Sequence, residues 1–211
     1  MNSLTDPKVK RKLSHLLSES GRDLPNIAKG FLRSFGRSLE PKDMADAYIA
    51  ISAEQGELLY TLARINGAKK IVEFGASFGI SAIYLGAAAR DNGGQMITTE
   101  IEPNKIETAR RNITAAGLAD TVTLLAGNAL ETLRDVSGDI DLLFMDGWHD
   151  IYLPLIEMLE PQFRTGTVVA TDNAGFRSAR PFLNYLHTSG KYVSHRLKTD
   201  KGALEFSCYL L

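Results

Sequence analysis

The 211-residue sequence has few of the residues that build disulfide frameworks and zinc sites. It contains one cysteine, Cys208, and four histidines. A single cysteine excludes an intrachain disulfide, and the sequence has no His/Cys cluster at the spacing of zinc ligands. This cysteine usage fits a reducing compartment, so we expect a cytoplasmic protein.

Long apolar runs and an excess of one charge are also missing. No apolar stretch approaches the ~18 residues that a membrane-spanning helix needs, and residues 1–7 lack the apolar core of a secretory signal. The 24 basic and 25 acidic side chains nearly cancel. The overall charge therefore favours neither a nucleic acid nor a membrane as partner.

The hydrophobic pattern changes near residue 45. Residues 1–45 are polar and basic with helical periodicity, and they form a predicted N-terminal helical extension. In residues 46–211 short apolar strands alternate with helices, which indicates an α/β domain with a doubly wound, mostly parallel seven-stranded sheet. The last two strands, predicted near 191–198 and 203–210, are expected to form an antiparallel hairpin at the edge of this sheet.

Several boundaries in the second half of the chain can be predicted from the same pattern. We expect a short helix near 129–135, a strand over 166–171 and a helix near 177–188. Asp150 is predicted to cap a helix that runs to Leu159, since aspartate is a favoured residue at the start of a helix.

The turn after the first strand of the domain is the first candidate site. Ligands of doubly wound sheets bind beyond the carboxyl ends of the strands, and Gly75 and Gly79 stand there, with Ala76 and Ser77 between them. Glycine lets the backbone turn tightly and approach a ligand closely. The spacing departs from the G-x-G-x-x-G pattern of dinucleotide sites, which favours a smaller adenosyl ligand. Taken alone, the two glycines also fit an ordinary strand-to-helix turn.

Acidic and amide side chains near the strand ends support a nucleoside site. Glu73 lies in the strand before the turn, where a buried acid needs a partner. Glu100 ends the second strand, where a carboxylate can bind ribose hydroxyls. Asn128 follows the third strand with Ala129. It could contact an adenine edge or simply cap a helix.

A second candidate site follows the fourth and fifth strands. If these strands are neighbours, Asp146, Asp172 and Asn173 converge and offer hard oxygen ligands for Mg²⁺ or Ca²⁺. Asp172 and Asn173 could instead form only a turn. His149 could act as a general base or be a solvated loop side chain. Trp148 could line an aromatic substrate or pack under the loop.

Five sequence blocks in this order carry a resemblance to a known family. The blocks are SAEQG (52–56), IVEFGASFGIS (71–81), ITTEIEP (97–103), LLFMDGWHDIYLP (142–154) and GTVVATDNA (166–174). Over about residues 45–211 the chain resembles the small cation-dependent class I O-methyltransferases, the group of catechol and caffeoyl-CoA O-methyltransferases and their bacterial relatives.

The resemblance implies a role for each matching position. The resemblance implies that S-adenosylmethionine is bound by Ser52, Glu73, Gly75, Ser81, Glu100, Ile101, Asn128, Ala129 and Asp146. Ala76, Ser77 and Gly79 of the glycine turn are expected to belong to the same site. The resemblance further implies that Asp146, Asp172 and Asn173 hold the cation. Trp148 is the expected substrate contact from its place in the loop after the fourth strand. The family commonly has a lysine base three residues after the first metal aspartate, where this chain has His149. His149 and Asp146 are therefore the expected catalytic residues.

These patterns lead to one expected function and several alternatives. We expect S-adenosylmethionine-dependent O-methylation of a small hydroxylated molecule, phenolic or catechol-like, with a divalent cation. The resemblance further implies that residues 1–45 cover the substrate or contribute to a homodimer. The alternatives are a metal-independent N- or O-methyltransferase, an RNA methyltransferase, which the neutral charge supports little, and a non-catalytic protein that binds a nucleoside or NAD.

Overall fold

The computed structural model describes residues 2–211. Met1, the first residue of the predicted extension, lies outside the described residues. The helices are α1 (Pro7–Ser20), α2 (Leu24–Arg33), α3 (Ala53–Ile65), α4 (Ile80–Asp91), α5 (Pro103–Ala115), α6 (Ala129–Thr132), α7 (Tyr152–Leu159) and α8 (Arg180–Thr188). The strands are β1 (Lys70–Phe74), β2 (Gln95–Glu100), β3 (Val122–Ala126), β4 (Ile140–Met145), β5 (Phe163–Thr171), β6 (Tyr192–Thr199) and β7 (Gly202–Tyr209).

The seven strands form one sheet in the order β3-β2-β1-β4-β5-β7-β6. The first five are parallel, and β7 runs antiparallel to both β5 and β6. This arrangement confirms the predicted doubly wound sheet with an antiparallel edge hairpin. The central strands are apolar because helices cover both of their faces, as is typical of parallel sheets.

Two hydrophobic clusters lie on opposite faces of the sheet. Ile71 belongs to one cluster and Val72 to the other, and successive side chains of a strand point to opposite faces. The first cluster also contains Val9, Leu13 and Leu16 of α1. Helix α1 of the N-terminal extension is thus packed into the same core as the sheet, whereas the predicted role of the extension at a substrate or in a homodimer stays a prediction.

The register of the central strands places their carboxyl ends side by side. Phe74 at the end of β1 pairs with Met145 of β4, and Met145 pairs with Thr171 of β5. The residues that follow these three strands therefore meet at one edge of the sheet. This edge carries the glycine turn, Asp146 and Asp172.

Some boundaries differ from the prediction. Strand β5 begins at Phe163, three residues before the predicted start at 166. Phe163 pairs with Ile140 of β4, and the register then shifts before Leu142. The polar residues 164 and 165 hid this start in the sequence pattern. Helix α6 ends at Thr132, and a short 3-10 helix, Arg177–Ala179, precedes α8.

The prediction that Asp150 caps a helix is wrong. Asp150 lies within a 3-10 helix, His149–Ile151, and α7 begins after it with Ile151 at the N-cap. The residues described contain no helix whose length and hydropathy would let it cross a bilayer.

Candidate functional site

The glycine turn packs directly against the end of β4. Gly75 has a φ of 102°, and a Cβ on it would lie 2.5 Å from the carbonyl oxygen of Asp146. The N–H of Ala76 donates to the carbonyl of Thr99 at the end of β2 (3.0 Å). Gly79 has a φ of 91° at the N-cap of α4. Only glycine fits at position 75, because both the left-handed φ and the close approach exclude a side chain.

Glu73 is fully buried beneath this turn. Its Oε2 accepts a hydrogen bond from the hydroxyl of Thr98, and its Oε1 has no hydrogen-bond partner within residues 2–211. Burial raises the pKa of Glu73 to about 7, against the opposing effect of the Ser81 and Thr98 hydroxyls. A buried carboxyl group with one oxygen that lacks a hydrogen bond is suited to a ligand that supplies a hydrogen-bond donor.

Backbone N–H groups hold the carboxylate of Glu100. It accepts from the N–H of Ser77 (2.7 Å), Ile101 (2.8 Å) and Glu102 (3.0 Å). The structure thus ties Glu100 to the glycine turn through Ser77. A contact between Glu100 and a ribose stays a prediction.

The three residues predicted near an adenine are Ile101, Asn128 and Ala129. Oδ1 of Asn128 accepts from the N–H of Leu130 (3.0 Å), so Asn128 does cap α6. Ala129 is buried and the side chain of Ile101 is half exposed. The proposed adenine contacts of these three residues stay predictions.

The segment before α3 lies over the glycine turn. The hydroxyl of Ser77 donates to the carbonyl of Tyr48 (2.6 Å). Asp23 at the start of α2 accepts from the N–H groups of Tyr48 (2.6 Å) and Ile49 (3.2 Å). Ile49 has a φ of 42°, which is strained for a β-branched residue. Asp23 of the N-terminal extension therefore holds the segment of Tyr48 and Ile49 over the candidate cofactor site.

Asp146, which is half-buried, and the buried Asp172 form a carboxyl pair next to the turn. Burial, followed by the negative charges of Asp172 and Glu73, raises the pKa of Asp146 well above its ordinary value. Burial also raises the pKa of Asp172. The adjacent backbone is fixed by the N–H of Asp146, which donates to the carbonyl of Phe74 (2.9 Å). Two neighbouring carboxyl groups whose negative charges repel each other are suited to a cation.

Asn173 and Gln55 surround Asp172. Asn173 has a φ of 57°, and its Nδ2 lies 3.4 Å from Oδ2 of Asp172. Nε2 of Gln55 donates to Oδ1 of Asp172 (3.1 Å). The N–H of Phe176 donates to the carbonyl of Asn173 (3.0 Å), so this segment also forms the turn that the sequence allowed.

The donor set at this edge fits a hard divalent cation. Within residues 2–211 no three His, Cys, Asp or Glu side chains form a metal cluster by themselves. The predicted set instead combines the carboxylates of Asp146 and Asp172 with the amide oxygen of Asn173. Oxygen ligands of this kind suit Mg²⁺ or Ca²⁺, whose remaining positions are filled by water or substrate oxygens.

Ser52 lies at the start of α3. Its Oγ accepts from the N–H of Gln55 (3.1 Å) and donates to Oδ1 of Asp200 in the β6–β7 turn (2.6 Å). Ser52 therefore fixes α3 and its Gln55, whereas the predicted contact with the cofactor stays a prediction.

His149 is packed between aromatic rings. Its Nδ1 lies 2.7 Å from Oγ of Ser178, and its Nε2 is buried with no hydrogen-bond partner in the described residues. The ring meets Tyr152 edge-on at 5.0 Å between centroids and lies 5.7 Å from Phe176. Burial lowers the pKa of His149, so its imidazole is neutral near pH 7. The neighbouring Trp148 is half-buried, and its predicted contact with a substrate stays a prediction.

Three residues at this edge were missed by the sequence analysis. The Ser-x-x-Gln pattern of residues 52–55 could have located the start of α3, but not the contact of Gln55 with Asp172. No local pattern pointed to Ser178.

Lys105 of α5 is the third of these residues. It is buried over the ring of Phe78, 5.6 Å from its centroid. Burial lowers the pKa of Lys105, and nearby carboxylates, first Glu100, oppose this effect.

Comparisons with known proteins agree with this geometry. Residues 35–179 match the protein family described as O-methyltransferase. A catechol O-methyltransferase of Mycobacterium tuberculosis is 36% identical over 126 residues, which are 59% of this chain and only 57% of that protein.

Two solved structures extend the likeness to most of the chain. An O-methyltransferase from Bacillus cereus in complex with SAH is 26% identical, with a TM-score of 0.69 over 76% of this chain and 82% of that one. The O-methyltransferase TomG from Streptomyces achromogenes, in complex with SAM, is 25% identical, with a TM-score of 0.69 over 92% and 89%. Since the family match covers more than half of the sequence and the sheet has the same fold as these structures, the chain belongs to the O-methyltransferase family.

Proposed function

We propose that the protein transfers the methyl group of S-adenosylmethionine to a hydroxyl oxygen of a small phenolic or catechol-like acceptor, assisted by a divalent cation. The observation that carries this proposal is the meeting of three features at one edge of the sheet. The glycine turn lies against the backbone of Asp146. Asp146 pairs with the buried Asp172, and His149 follows in the same loop with an unpartnered ring nitrogen.

The proposed methyl-donor site is the turn between β1 and α4 with its acidic neighbours. Glu73 and Ser81 would hold the methionine end of the donor together with Ser52 and residues 75–79. The unpartnered Oε1 of Glu73 supports this role, because an ammonium group would supply the missing donor. Glu100 would accept from the ribose hydroxyls, with Ile101, Asn128 and Ala129 near the adenine.

The proposed cation site consists of Asp146, Asp172 and Asn173. A bound Mg²⁺ or Ca²⁺ would lower the pKa of an acceptor hydroxyl. Gln55 would keep Asp172 in place through its hydrogen bond of 3.1 Å. The backbone N–H of Asp172, which donates to the carbonyl of Met145 (3.0 Å), fixes the main chain of Asp172 against the sheet.

His149 is the proposed general base. With the Nδ1 proton donated to Ser178, the lone pair of Nε2 faces no other group of the described residues. As the methyl group moves from sulfur to oxygen, the acceptor loses a proton, and Nε2 would receive it. Packing against Tyr152 and Phe176 partly buries this ring, and the burial lowers the pKa of His149 and so favours the neutral imidazole before the reaction.

A screen of acceptors tests this function. The purified protein is incubated with S-adenosylmethionine and a panel of catechols, hydroxybenzoates and other phenols, with Mg²⁺ and with excess chelator, and S-adenosylhomocysteine is measured. Turnover that depends on Mg²⁺ is the expected result. Equal turnover in chelator would favour the metal-independent methyltransferase instead.

A binding measurement addresses the non-catalytic alternative. We expect S-adenosylmethionine to raise the melting temperature and NAD to leave it unchanged, since a ligand stabilises only the protein that binds it. Stabilisation by NAD alone would contradict the proposed methyl-donor site.

A further inference from the structure

A cavity of about 470 Å³ lies beside the proposed cation site. Its wall begins with Ala174, Gly175 and Phe176, which directly follow Asn173, and it continues along α8 and β6. The volume is within the range of pockets that hold small molecules, ~300–1,000 Å³. None of the residues to which the family resemblance gives a role in binding or catalysis lines this cavity.

The cavity is lined by basic side chains from two elements. Arg180 and His187 come from α8, and Arg196 comes from β6. Arg196 donates through Nε and Nη2 to Oε2 of the buried Glu205 (2.9 and 2.8 Å), and Nε2 of His187 lies 2.6 Å from Oε1 of Glu205. The carboxylate of Glu205 thus contacts both Arg196 and His187 and fixes their positions.

Arg180 remains without a counter-charge. Within residues 2–211 its guanidinium makes no hydrogen bond and has no carboxylate within 4.0 Å. Arg196 also keeps its Nη1 without a hydrogen bond in this part of the chain. The cavity therefore presents guanidinium donors that no protein acceptor occupies, and these donors match the planar geometry of a carboxylate.

Phe176 connects the cavity to the proposed base. Its ring lies 5.7 Å from the ring of His149 and also lines the cavity. A planar acceptor whose hydroxyl reaches His149 could therefore extend past Phe176 toward Arg180.

We propose that this cavity binds a carboxylate group on the methyl acceptor, so that the preferred substrates are hydroxylated aromatic acids rather than neutral phenols. The inference rests on the proposed function, because it assigns the acceptor of that same site. Arg180 is the principal contact, and Arg196, held by Glu205, is the second.

The test uses matched pairs of acceptors with and without the charge. The acids are 3,4-dihydroxybenzoate, 3,4-dihydroxyphenylacetate and 3,4-dihydroxycinnamate, each compared with its neutral methylamide. The three acids differ in the distance between ring and carboxylate. In the wild-type protein at least one acid should show a kcat/KM about tenfold above that of its amide, the effect of one charge-assisted hydrogen bond.

Arg180→Gln is the diagnostic variant, since Arg180 has no structural partner to lose. It should remove the preference for the acid by raising KM about tenfold, while kcat/KM for the amides stays within about twofold of wild type. Arg177→Gln is the matched control. It removes the same charge three residues away from a side chain that does not line the cavity, and it should keep the preference for the acid.

Two results would overturn the inference. One is a wild-type protein that uses each acid no better than its amide, and the other is an Arg180→Gln variant that keeps the full preference. Calorimetric binding of the acids to the wild type and to Arg180→Gln separates this inference from the proposed function. Binding that weakens in the variant supports the cavity even if no acceptor is methylated, whereas equal binding to both proteins contradicts it.

Discussion

Oγ of Ser178 lies 2.7 Å from Nδ1 of His149, so only the buried Nε2 of this imidazole is left to meet a substrate. If Nε2 is the proton acceptor, His149→Ala should lower kcat about 100-fold or more, the usual contribution of a general base. Ser178→Ala should lower kcat about tenfold, since the ring then loses its fixed orientation. Steady-state kinetics measure both. His15→Ala, which removes an exposed histidine of α1, should retain wild-type activity.

The pH dependence of the same reaction gives a second prediction. Burial lowers the pKa of His149 from its ordinary value of 6.5. A base works unprotonated, so the acid limb of the kcat/KM profile should lie below pH 6.5, and activity should persist into mildly acidic buffer. The limb should vanish in His149→Ala. A limb that stays in place in this variant would assign it to another group.

The carboxyl pair predicts a dependence on added cation. Asp172→Asn should abolish turnover and remove the response to Mg²⁺, because one charged ligand is lost. Its affinity for S-adenosylmethionine, measured by calorimetry, should change little. Asp150→Asn is the control, because Asp150 is an exposed carboxylate of the neighbouring loop. An Asp172→Asn protein that is still activated by Mg²⁺ would place the cation elsewhere.

The close approach at Gly75 predicts a large loss of stability on adding one methyl group. Gly75→Ala combines an unfavourable φ with a contact of 2.5 Å to backbone, and we expect it to cost about 3 kcal/mol or more. Gly93→Ala has a φ of 69° but nothing within 4 Å of the added Cβ. It should cost only the ~1–2 kcal/mol of the left-handed conformation. Chemical denaturation measures the free energy of unfolding of both variants. Equal losses would contradict the prediction, because they would mean that the backbone near Asp146 moves away from the added methyl group at no cost.

Glu73 predicts how the stability of the ligand-free protein depends on pH. Burial raises its pKa to about 7 in the folded state, from an ordinary 4.5, so protonation favours folding. This contribution is fully present below about pH 4.5 and is lost as the pH rises through about 7. At pH 8 Glu73→Gln should therefore be more stable than wild type, by up to about 3 kcal/mol, and should bind S-adenosylmethionine more weakly. Identical unfolding curves at pH 8 would contradict the buried charge.

The fold was largely predictable because its signals are local and periodic. The apolar strand before Gly75 and the glycines themselves sufficed to place the end of β1 and the turn that follows it. The edge hairpin agrees closely with the strands predicted near 191–198 and 203–210. The prediction failed where one local rule competed with another. Asp150 has the chemistry of a helix cap, yet the chain forms a 3-10 helix through it before α7 begins.

The candidate site was only partly predictable, since several of its contacts join residues distant in sequence. The strand ends pointed to Asp146 and Asp172, because parallel strands bring their carboxyl ends to one edge. Gln55 reaches Asp172 across 117 positions of the chain, and Ser178 reaches His149 across 29. Neither pair has a sequence spacing that a pattern could reveal. The cavity beside Arg180 likewise depends on how α8 and β6 pack together.

The three backbone N–H groups that hold Glu100 have a consequence for the entropy of ligand binding. A glutamate that is free to rotate loses up to about 2 kcal/mol of side-chain freedom when it is fixed by a ligand. Ser77, Ile101 and Glu102 already fix this carboxylate. The side-chain entropy of Glu100 is therefore already lost when the protein folds. Binding of a nucleoside at the proposed ribose contact does not have to compensate for this entropy loss.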